Sequence, residues 1–177
     1  ASDSDTALAT QQSIKAYVDS ISYTPNIVQA VKTDTFVQGS PNNAWFDIPD
    51  LSLSITPTSS SSKVLISADV SSTSNSVNLP NRFRFVRDGV AIALGDAAGT
   101  RTQCSFTGSE RSSTSPPSSG MSYLDSTAVV AGTPVVYKMQ VSNYNVVSIY
   151  INQGYNDADS TQYDRTISTL IATEIPQ

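Results

Sequence analysis

The densest group of side chains that could carry out chemistry lies in the polar stretch Gln153–Asp164. Within it, Asn156, Asp157, Asp159 and Asp164 offer oxygen ligands of the kind that calcium takes. The stretch lacks the closing glutamate and the glycine turn of an EF-hand loop. We therefore predict a solvated acidic turn without a metal ion, with a calcium-binding loop as the alternative.

Aromatic, amide and guanidinium groups in two polar segments suit the binding of sugars. An aromatic face surrounded by hydrogen-bonding groups is a common way to hold a sugar ring. One segment is the stretch Gln153–Asp164, and the other is the Ser-rich segment 99–120. The alternative for each tyrosine is an ordinary anchor of a loop on the sandwich. The candidate receptor-binding residues are Tyr155, Asn156, Asp157, Asp159, Tyr163, Arg101 and Arg111.

Several kinds of catalysis are disfavoured by the composition. The sequence has no histidine, which removes the commonest general base and the commonest metal ligand. Its single cysteine, Cys104, cannot close an internal disulfide and is predicted to be a small buried hydrophobe. The GxSxG and P-loop patterns are absent, and no pair of carboxylates stands out for glycoside hydrolysis. We expect no enzyme activity and no cofactor.

Charge and hydropathy exclude two further classes of partner. The formal net charge is −5, and lysine and arginine do not cluster, whereas nucleic-acid binding needs a concentrated basic face. No apolar run is long enough to span a bilayer. We therefore expect neither nucleic-acid binding nor membrane insertion.

Most of the chain alternates between apolar and polar residues, as strands do. Asp88-Gly89, between two alternating runs, predicts a two-residue hairpin with a primed turn. The long segment Gly95–Tyr123 is poor in apolar residues, and within it RTQCSFTG is predicted to be a strand. Eight to ten short strands without a βαβ rhythm indicate an all-β fold, a jelly-roll β-sandwich with a short N-terminal α-helix.

The last predicted strand, Arg165–Ile175, has an unusual distribution of apolar residues. One face carries four β-branched residues around Ile171, and the other has an apolar centre formed by Leu170 and Ala172. A strand that is apolar on both faces is expected in the middle of a sheet, with something covering each face. We predict that Leu170 and Ala172 contact another copy of the chain.

One helix is predicted, over Asp5–Ser20, and it divides the chain into a helical segment 1–25 and a head domain 26–177. Positions along it recur at alternating steps of four and three, at Ala7, Gln11, Ile14, Val18 and Ile21, which is typical of a short coiled coil with one polar layer at Gln11. The helix either packs on its own domain or joins a bundle of sister helices, since two heptads alone are unstable in water. In the second case the predicted trimer interface comprises Ile14, Val18, Ile21, Leu170 and Ala172.

Two parts of the sequence resemble known virion proteins. The segment ALATQQSIKAYVDS (Ala7–Ser20) resembles a helical linker motif of bacteriophage tail fibres and other virion structural proteins, notably of marine phages and cyanophages. The pattern WFDIPDLSLSITP (Trp45–Pro57), then SSKVLI, FRFVRDGVAI, VYKMQV and ISTLIATEI, resembles the globular head that follows such linkers. That head is similar to a trimeric jelly roll of the tumour-necrosis-factor kind.

The resemblance implies a virion location, a homotrimer, and other fibre or tail proteins at the N-terminal end. It favours a head domain that attaches to a glycan or protein on the host cell surface. The alternatives are a capsid or collar fibre, or a decoration protein, without a direct receptor role, and a surface-polysaccharide hydrolase. In a jelly roll both termini usually lie at one end, so Gln153–Asp164, just before the last strand, is predicted to turn at the far end.

Overall fold

The computed structural model describes residues 10–21, 24–108, 112–144 and 147–177, with the side chains of the helix described for residues 11–18. Within these ranges the chain is all-β apart from one short helix, as predicted. The elements are α1 (Gln11–Ile21), β1 (Ile27–Lys32), β2 (Phe36–Gln38), β3 (Phe46–Ile55), β4 (Lys63–Ser74), β5 (Arg82–Arg87), β6 (Val90–Ile92), β7 (Phe106–Thr107), β8 (Ser118–Asp125), β9 (Val135–Ser142), β10 (Ile149–Ile151) and β11 (Ser168–Ile175).

The strands form two antiparallel sheets. In the first sheet the order is β1-β11-β4-β10-β2, with β8 on the free side of β4. In the second sheet the order is β3-β9-β5-β6, with β7 also paired to β5. Strands β2 and β10 continue the lines of β1 and β11, and β7 continues the line of β6. The chain passes from one sheet to the other and back in the succession of a jelly roll, which confirms the predicted fold class.

The core lies between the two sheets and is built from the alternating runs seen in the sequence. In β4, Val64, Ile66 and Val70 are fully buried, and in β9 the same holds for Tyr137 and Met139. Each buried aliphatic side chain of this size contributes about 1.5–3 kcal/mol relative to an exposed one. Alternation therefore identified the inner faces of these strands correctly.

The hairpin between β5 and β6 has the predicted turn. Asp88 has a φ of 46° and Gly89 a φ of 85°, so both central residues adopt the left-handed conformation of a primed turn. Arg87 pairs with Val90 across it. The turn also hydrogen-bonds to β9, because the Asp88 carboxylate accepts the Val136 N–H at 2.9 Å.

The strand β8 was not predicted, and the strand predicted over RTQCSFTG is reduced to β7, two residues long. On the side of β8 that faces solvent lie Ser118, Gly120 and Ser122. On its other side the apolar residues are Met121 and Tyr123, so the alternation in the sequence is weak. A Cβ at Gly120 would clash with the carbonyl oxygen of Ala68 on β4. The glycine that weakened the sequence signal is thus required by the close approach of the two strands.

The described helix covers the later part of the predicted one. It runs from Gln11 to Ile21, and the Thr10 hydroxyl caps it by accepting the Ser13 N–H at 3.2 Å. The earlier part of the predicted helix, from Asp5 to Ala9, lies outside the described residues. Residues 11–18 are exposed on every side, so these side chains do not pack on the sandwich.

The two ends of the head domain meet at one end of the sandwich, as predicted. The Glu174 N–H donates to the Asn26 carbonyl at 2.9 Å, where the chain enters β1 and leaves β11. We call this the near end and the opposite end the far end. The connecting residues at the far end include 39–45, 75–81, 143–144 and 147–148.

The prediction that Gln153–Asp164 turns at the far end is wrong. Both β10 and β11 run antiparallel to β4, pairing with its residues 72–74 and 63–69 respectively. The stretch is therefore an insertion within one strand line and not a turn between two strands. The sequence could not show this, because the periodicity of the short run in β10 does not tell whether β10 and β11 pair with the same strand.

Candidate functional site

The structure corrects the predicted trimer interface on the last strand. Leu170 and Ala172 are fully buried inside the sandwich and cannot contact another copy of the chain. Leu170 is paired with Ala68 and Ala30, whose side chains also point into the core. The opposite side of β11, which carries Ile171, faces outward. The prediction that β11 lies in the middle of a sheet is confirmed, since β1 and β4 flank it.

The outward side of the first sheet carries many apolar side chains and is uncovered in the half closer to the near end. Ile27 and Ile167 are 57% and 55% exposed, and Val31 and Leu124 are each 41% exposed. Between them lie threonine and serine side chains, while the charged side chains are Lys63 and Asp69. We call this surface the outer face, and it comprises Ile27, Gln29, Val31, Lys63, Leu65, Ser67, Asp69, Ser122, Leu124, Ile167, Thr169, Ile171, Thr173 and Ile175.

The half of the same sheet closer to the far end is covered by other parts of the chain. Ser71, Ser72, Thr73 and Ser74 are all buried, which means that neither face of β4 is open there. The segment 112–115 lies beside them, since the Ser112 N–H donates to the Thr73 hydroxyl at 2.6 Å. The outer face is therefore confined to the half of the sheet closer to the near end.

The inserted stretch packs on the segment 112–115. The N–H groups of Tyr155 and Asn156 donate to the carbonyls of Ser112 and Ser113 at 3.1 and 3.3 Å. A Cβ at Gly154 would clash with the Ser113 carbonyl, so glycine is needed for this contact. The two candidate tyrosines, Tyr155 and Tyr163, are half-buried and do not stand clear of the loop.

The polar candidates of this stretch mostly bind one another or their neighbours. The Asn156 amide donates to the Tyr163 hydroxyl at 3.1 Å, and the Asp157 carboxylate lies 2.6 Å from Arg165. Asp159 is exposed, and the Asp164 carboxylate accepts a hydrogen bond from Ser115. Among the described residues, no three carboxylate or cysteine side chains are grouped closely enough to hold a metal ion.

Arg101 belongs to a different place, a cleft at the far end. Its neighbours there come from three other parts of the chain, and one of them is a second arginine, Arg82, at the start of β5. The cleft has a volume of about 610 Å³. We call it the far-end cleft, and it is lined by Asn43, Arg82, Thr100, Arg101, Thr102 and Tyr144. The other predicted arginine, Arg111, lies outside the described residues.

A buried amide network supports the floor of the far-end cleft. The Asn43 N–H donates to the Asn143 carbonyl at 2.9 Å, next to Tyr144. The fully buried Asn143 amide donates to the Asn81 side chain at 2.8 Å, and Asn81 donates to the Thr73 carbonyl at 2.9 Å. Because Asn143, Asn81 and Thr73 are buried and joined by short hydrogen bonds, the turn that carries Tyr144 is held in place without a ligand, and the Asn43 N–H ties the neighbouring turn to it.

Sequence reasoning missed Arg82 and Asn43 as site residues. Arg82 stands in an alternating run and Asn43 in a polar turn, and neither its type nor its spacing marks either residue as part of a site. Asn43 adopts the left-handed conformation, with a φ of 66°. Asparagine tolerates this conformation, but a single asparagine in the sequence does not predict it reliably.

Cys104 is more exposed than predicted, and the described sandwich leaves the apolar side of the helix uncovered. Cys104 is half-buried rather than buried, and burial raises the pKa of its thiol, so it has no feature of a reactive thiolate. On the helix, Ile14 and Val18 are each 52% exposed, whereas the Ile21 side chain lies outside the described ones. The helix thus has an apolar side that the described sandwich does not cover.

Comparison with known proteins gives no family assignment. No protein-family model matches the sequence, and no curated protein is significantly similar to it. In the described part of the chain, no helix has the length and apolar character needed to cross a bilayer.

Proposed function

We propose that this chain is the trimeric head of a bacteriophage fibre, and that it attaches the particle to a glycan on the host cell surface. The helix would join it to other fibre or tail proteins. The observation that carries the proposal is the outer face, a sheet surface on which seven of the fourteen side chains are aliphatic and none of these seven is fully buried. Soluble monomers rarely leave so many neighbouring apolar side chains uncovered.

The chemistry of the outer face favours a second copy of the same chain as its partner. Its small threonine and serine side chains allow close approach, and its few charges make a strongly charged partner unsuitable. The face begins at Ile27, just after the helix, whose own apolar side is uncovered at Ile14 and Val18. Sister helices that cover one another would bring the adjoining sheets together, so a single assembly covers both surfaces.

The oligomeric state is the first expected result. Light scattering of the purified protein should give three times the 18.8 kDa mass of one chain. Ile171→Asp should yield a folded monomer, because it places an unpaired charge in the interface at a cost of several kcal/mol per subunit. The control is Val77→Asp, at an exposed position in the turn between β4 and β5, which should stay trimeric. A stable monomer of the unaltered protein at micromolar concentration would overturn the proposal.

Host attachment separates the proposed role from its two alternatives. Saturable binding of the labelled protein to host cells, without release of reducing ends from host capsular glycan, supports an attachment head. Release of reducing ends would point to a hydrolase, and a trimer that never binds cells would point to a capsid, collar or decoration role. Two buried carboxylates are already engaged inside the protein: Asp125 accepts the Tyr137 hydroxyl at 2.7 Å, and Glu174 accepts the Ser62 hydroxyl at 2.6 Å.

A further inference from the structure

The far-end cleft carries positive charge on an acidic protein. Arg82 and Arg101 both line it, neither Asp nor Glu lines it, and the formal net charge of the chain is −5. Elsewhere in the described chain, Arg87 and Arg165 each form a salt bridge with an aspartate. Neither Arg82 nor Arg101 forms a salt bridge with a described carboxylate. The cleft is therefore suited to an anion.

The Arg82 guanidinium is positioned without being neutralised. Its Nη1 donates to Asn43 Oδ1 at 3.1 Å and to Thr102 Oγ1 at 3.3 Å, and neither acceptor is charged. Both contacts use the same nitrogen, so Nε and Nη2 have no hydrogen-bond partner among the described residues. These two groups form the fork that pairs with a carboxylate or sulfate through two parallel hydrogen bonds. The fork is thus available to a ligand.

The remaining lining residues suit a sugar ring better than a bare ion. Tyr144 is 51% exposed and offers an aromatic face for stacking. The amide of Asn43 and the hydroxyls of Thr100 and Thr102 offer hydrogen bonds to neutral hydroxyl groups. The volume of about 610 Å³ lies within the usual range of ligand sites.

We propose that the far-end cleft binds an acidic saccharide, whose carboxylate or sulfate group pairs with Arg82 and Arg101 while a sugar ring stacks on Tyr144. This inference names the ligand class for the host attachment proposed above and rests on that proposal. The cleft lies at the end of the sandwich opposite to the entry of the chain from the helix, which is the end that a fibre head would turn toward a cell.

Binding is measured on the intact protein with three size-matched probes. Alginate oligosaccharide supplies carboxylates, dextran sulfate supplies sulfates, and dextran is the neutral reference. The unaltered protein should bind one of the acidic probes and not dextran, and added salt should weaken the binding because exposed charges are screened over about 10 Å at 0.1 M salt. Preference for carboxylate or sulfate identifies the anionic group. Equal binding of all three probes, or of none, overturns the inference.

Two pairs of variants locate the site. Arg82→Gln should lower the affinity for the acidic probe about ten- to hundredfold, because it removes a charged hydrogen-bonding group. Arg165→Gln removes the same charge just after the inserted stretch, outside the cleft, and should leave the affinity unchanged. Thr100→Glu places a carboxylate in the cleft and should abolish binding, whereas its uncharged isostere Thr100→Gln should retain it. Equal affinities in Thr100→Glu and Thr100→Gln, with both still trimeric, overturn the inference.

The same experiment distinguishes failure of the cleft from failure of the proposed function. Host-cell binding that survives in both Arg82→Gln and Thr100→Glu overturns the cleft as the attachment site and leaves the attachment role intact. Binding of the acidic probe through the cleft, in a protein that never binds host cells, supports the saccharide site and overturns the attachment role.

Discussion

Replacing Glu174 by alanine is expected to lower the free energy of unfolding by about 3–5 kcal/mol. This carboxylate is 1% exposed. Its Oε1 accepts hydrogen bonds from the Ser62 hydroxyl at 2.6 Å and from the N–H of Thr58 at 2.8 Å, and its Oε2 accepts the Asn26 amide at 2.8 Å. Alanine would leave these donors without their common acceptor, and it would leave a cavity in place of the buried carboxylate.

The effect is large because Glu174 joins three parts of the chain at the near end. Asn26 precedes β1, Thr58 and Ser62 belong to the connection from β3 to β4, and Glu174 itself lies in β11. Urea denaturation at neutral pH measures the change. Asp159→Ala, at an exposed carboxylate, is the control and should change stability by less than about 0.5 kcal/mol. Equal stabilities of Glu174→Ala and the unaltered protein would show that the network contributes nothing.

The contribution of Glu174 should also depend on pH. Burial alone would raise the pKa of this carboxyl, but hydrogen bonds from Ser62, Asn26 and Thr58 outweigh burial and lower the pKa from 4.5 to about 2. A pKa that is lower in the folded protein adds stability above the unfolded value, about 3 kcal/mol in this case. That stability is lost as the pH falls from 4.5 through about 2. The difference between the unaltered protein and Glu174→Gln should therefore shrink over this window.

Alternation predicted the sheets well where one face of a strand is buried and the other is solvated. In β4 and β9 the core side and the solvent side differ clearly in polarity, so period two assigns each residue to a face. The turn at Asp88-Gly89 was predictable because its two residues tolerate the left-handed conformation that a primed turn requires. In these elements local sequence and tertiary structure agree.

The last strand shows where the pattern is insufficient. Both faces of β11 are apolar, so alternation identifies the faces without telling which one points inward. The isoleucine and threonine side suggested the core by its β-branched residues. The inward side is instead the one with Leu170 and Ala172, because register places them beside Ala68 and Ala30. Register depends on long-range pairing and is not encoded within the strand alone.

The far-end cleft was predictable only in part for a similar reason. Its residues come from four separate segments, at Asn43, Arg82, residues 100–102 and Tyr144, and no spacing in the sequence links them. Arg101 could be suspected from the sequence because it is an arginine in a polar loop. Its partnership with Arg82 arises from the meeting of turns at one end of the jelly roll, which only the folded chain defines.

Replacing Asn152 by leucine is expected to lower the free energy of unfolding by about 3–5 kcal/mol, although the two side chains have similar sizes. Asn152 is fully buried where β10 ends, and its φ is 61°. Its amide donates to the carbonyls of Lys32 and Asp34, each at 2.9 Å, and its side-chain oxygen accepts the Ser168 hydroxyl at 2.7 Å. Leucine would leave the carbonyl of the buried Lys32, the hydroxyl of the buried Ser168 and the carbonyl of the exposed Asp34 without these partners, and it adopts the left-handed conformation poorly.

Two further variants separate these causes, with chemical denaturation as the measurement. Asn152→Gly removes the side-chain hydrogen bonds but has no conformational penalty, so it should lie between the unaltered protein and Asn152→Leu. Asn156→Leu, at an exposed position in the same insertion, should change stability by less than about 0.5 kcal/mol. Equal losses in Asn156→Leu and Asn152→Leu would contradict the proposed role of the buried amide.

Hydrogen exchange should show which part of the sheet depends on Asn152. This residue closes the gap between β1 and β2 on one strand line and between β10 and β11 on the next, so its loss should release the shorter pieces first. In Asn152→Gly, amide exchange should accelerate in Phe36–Gln38 and Ile149–Ile151 more than in Ser168–Ile175, which keeps its long pairings with β1 and β4. Uniform acceleration over all three segments would mean that the sheet opens as one unit, and that Asn152 stabilises the whole fold and not this junction in particular.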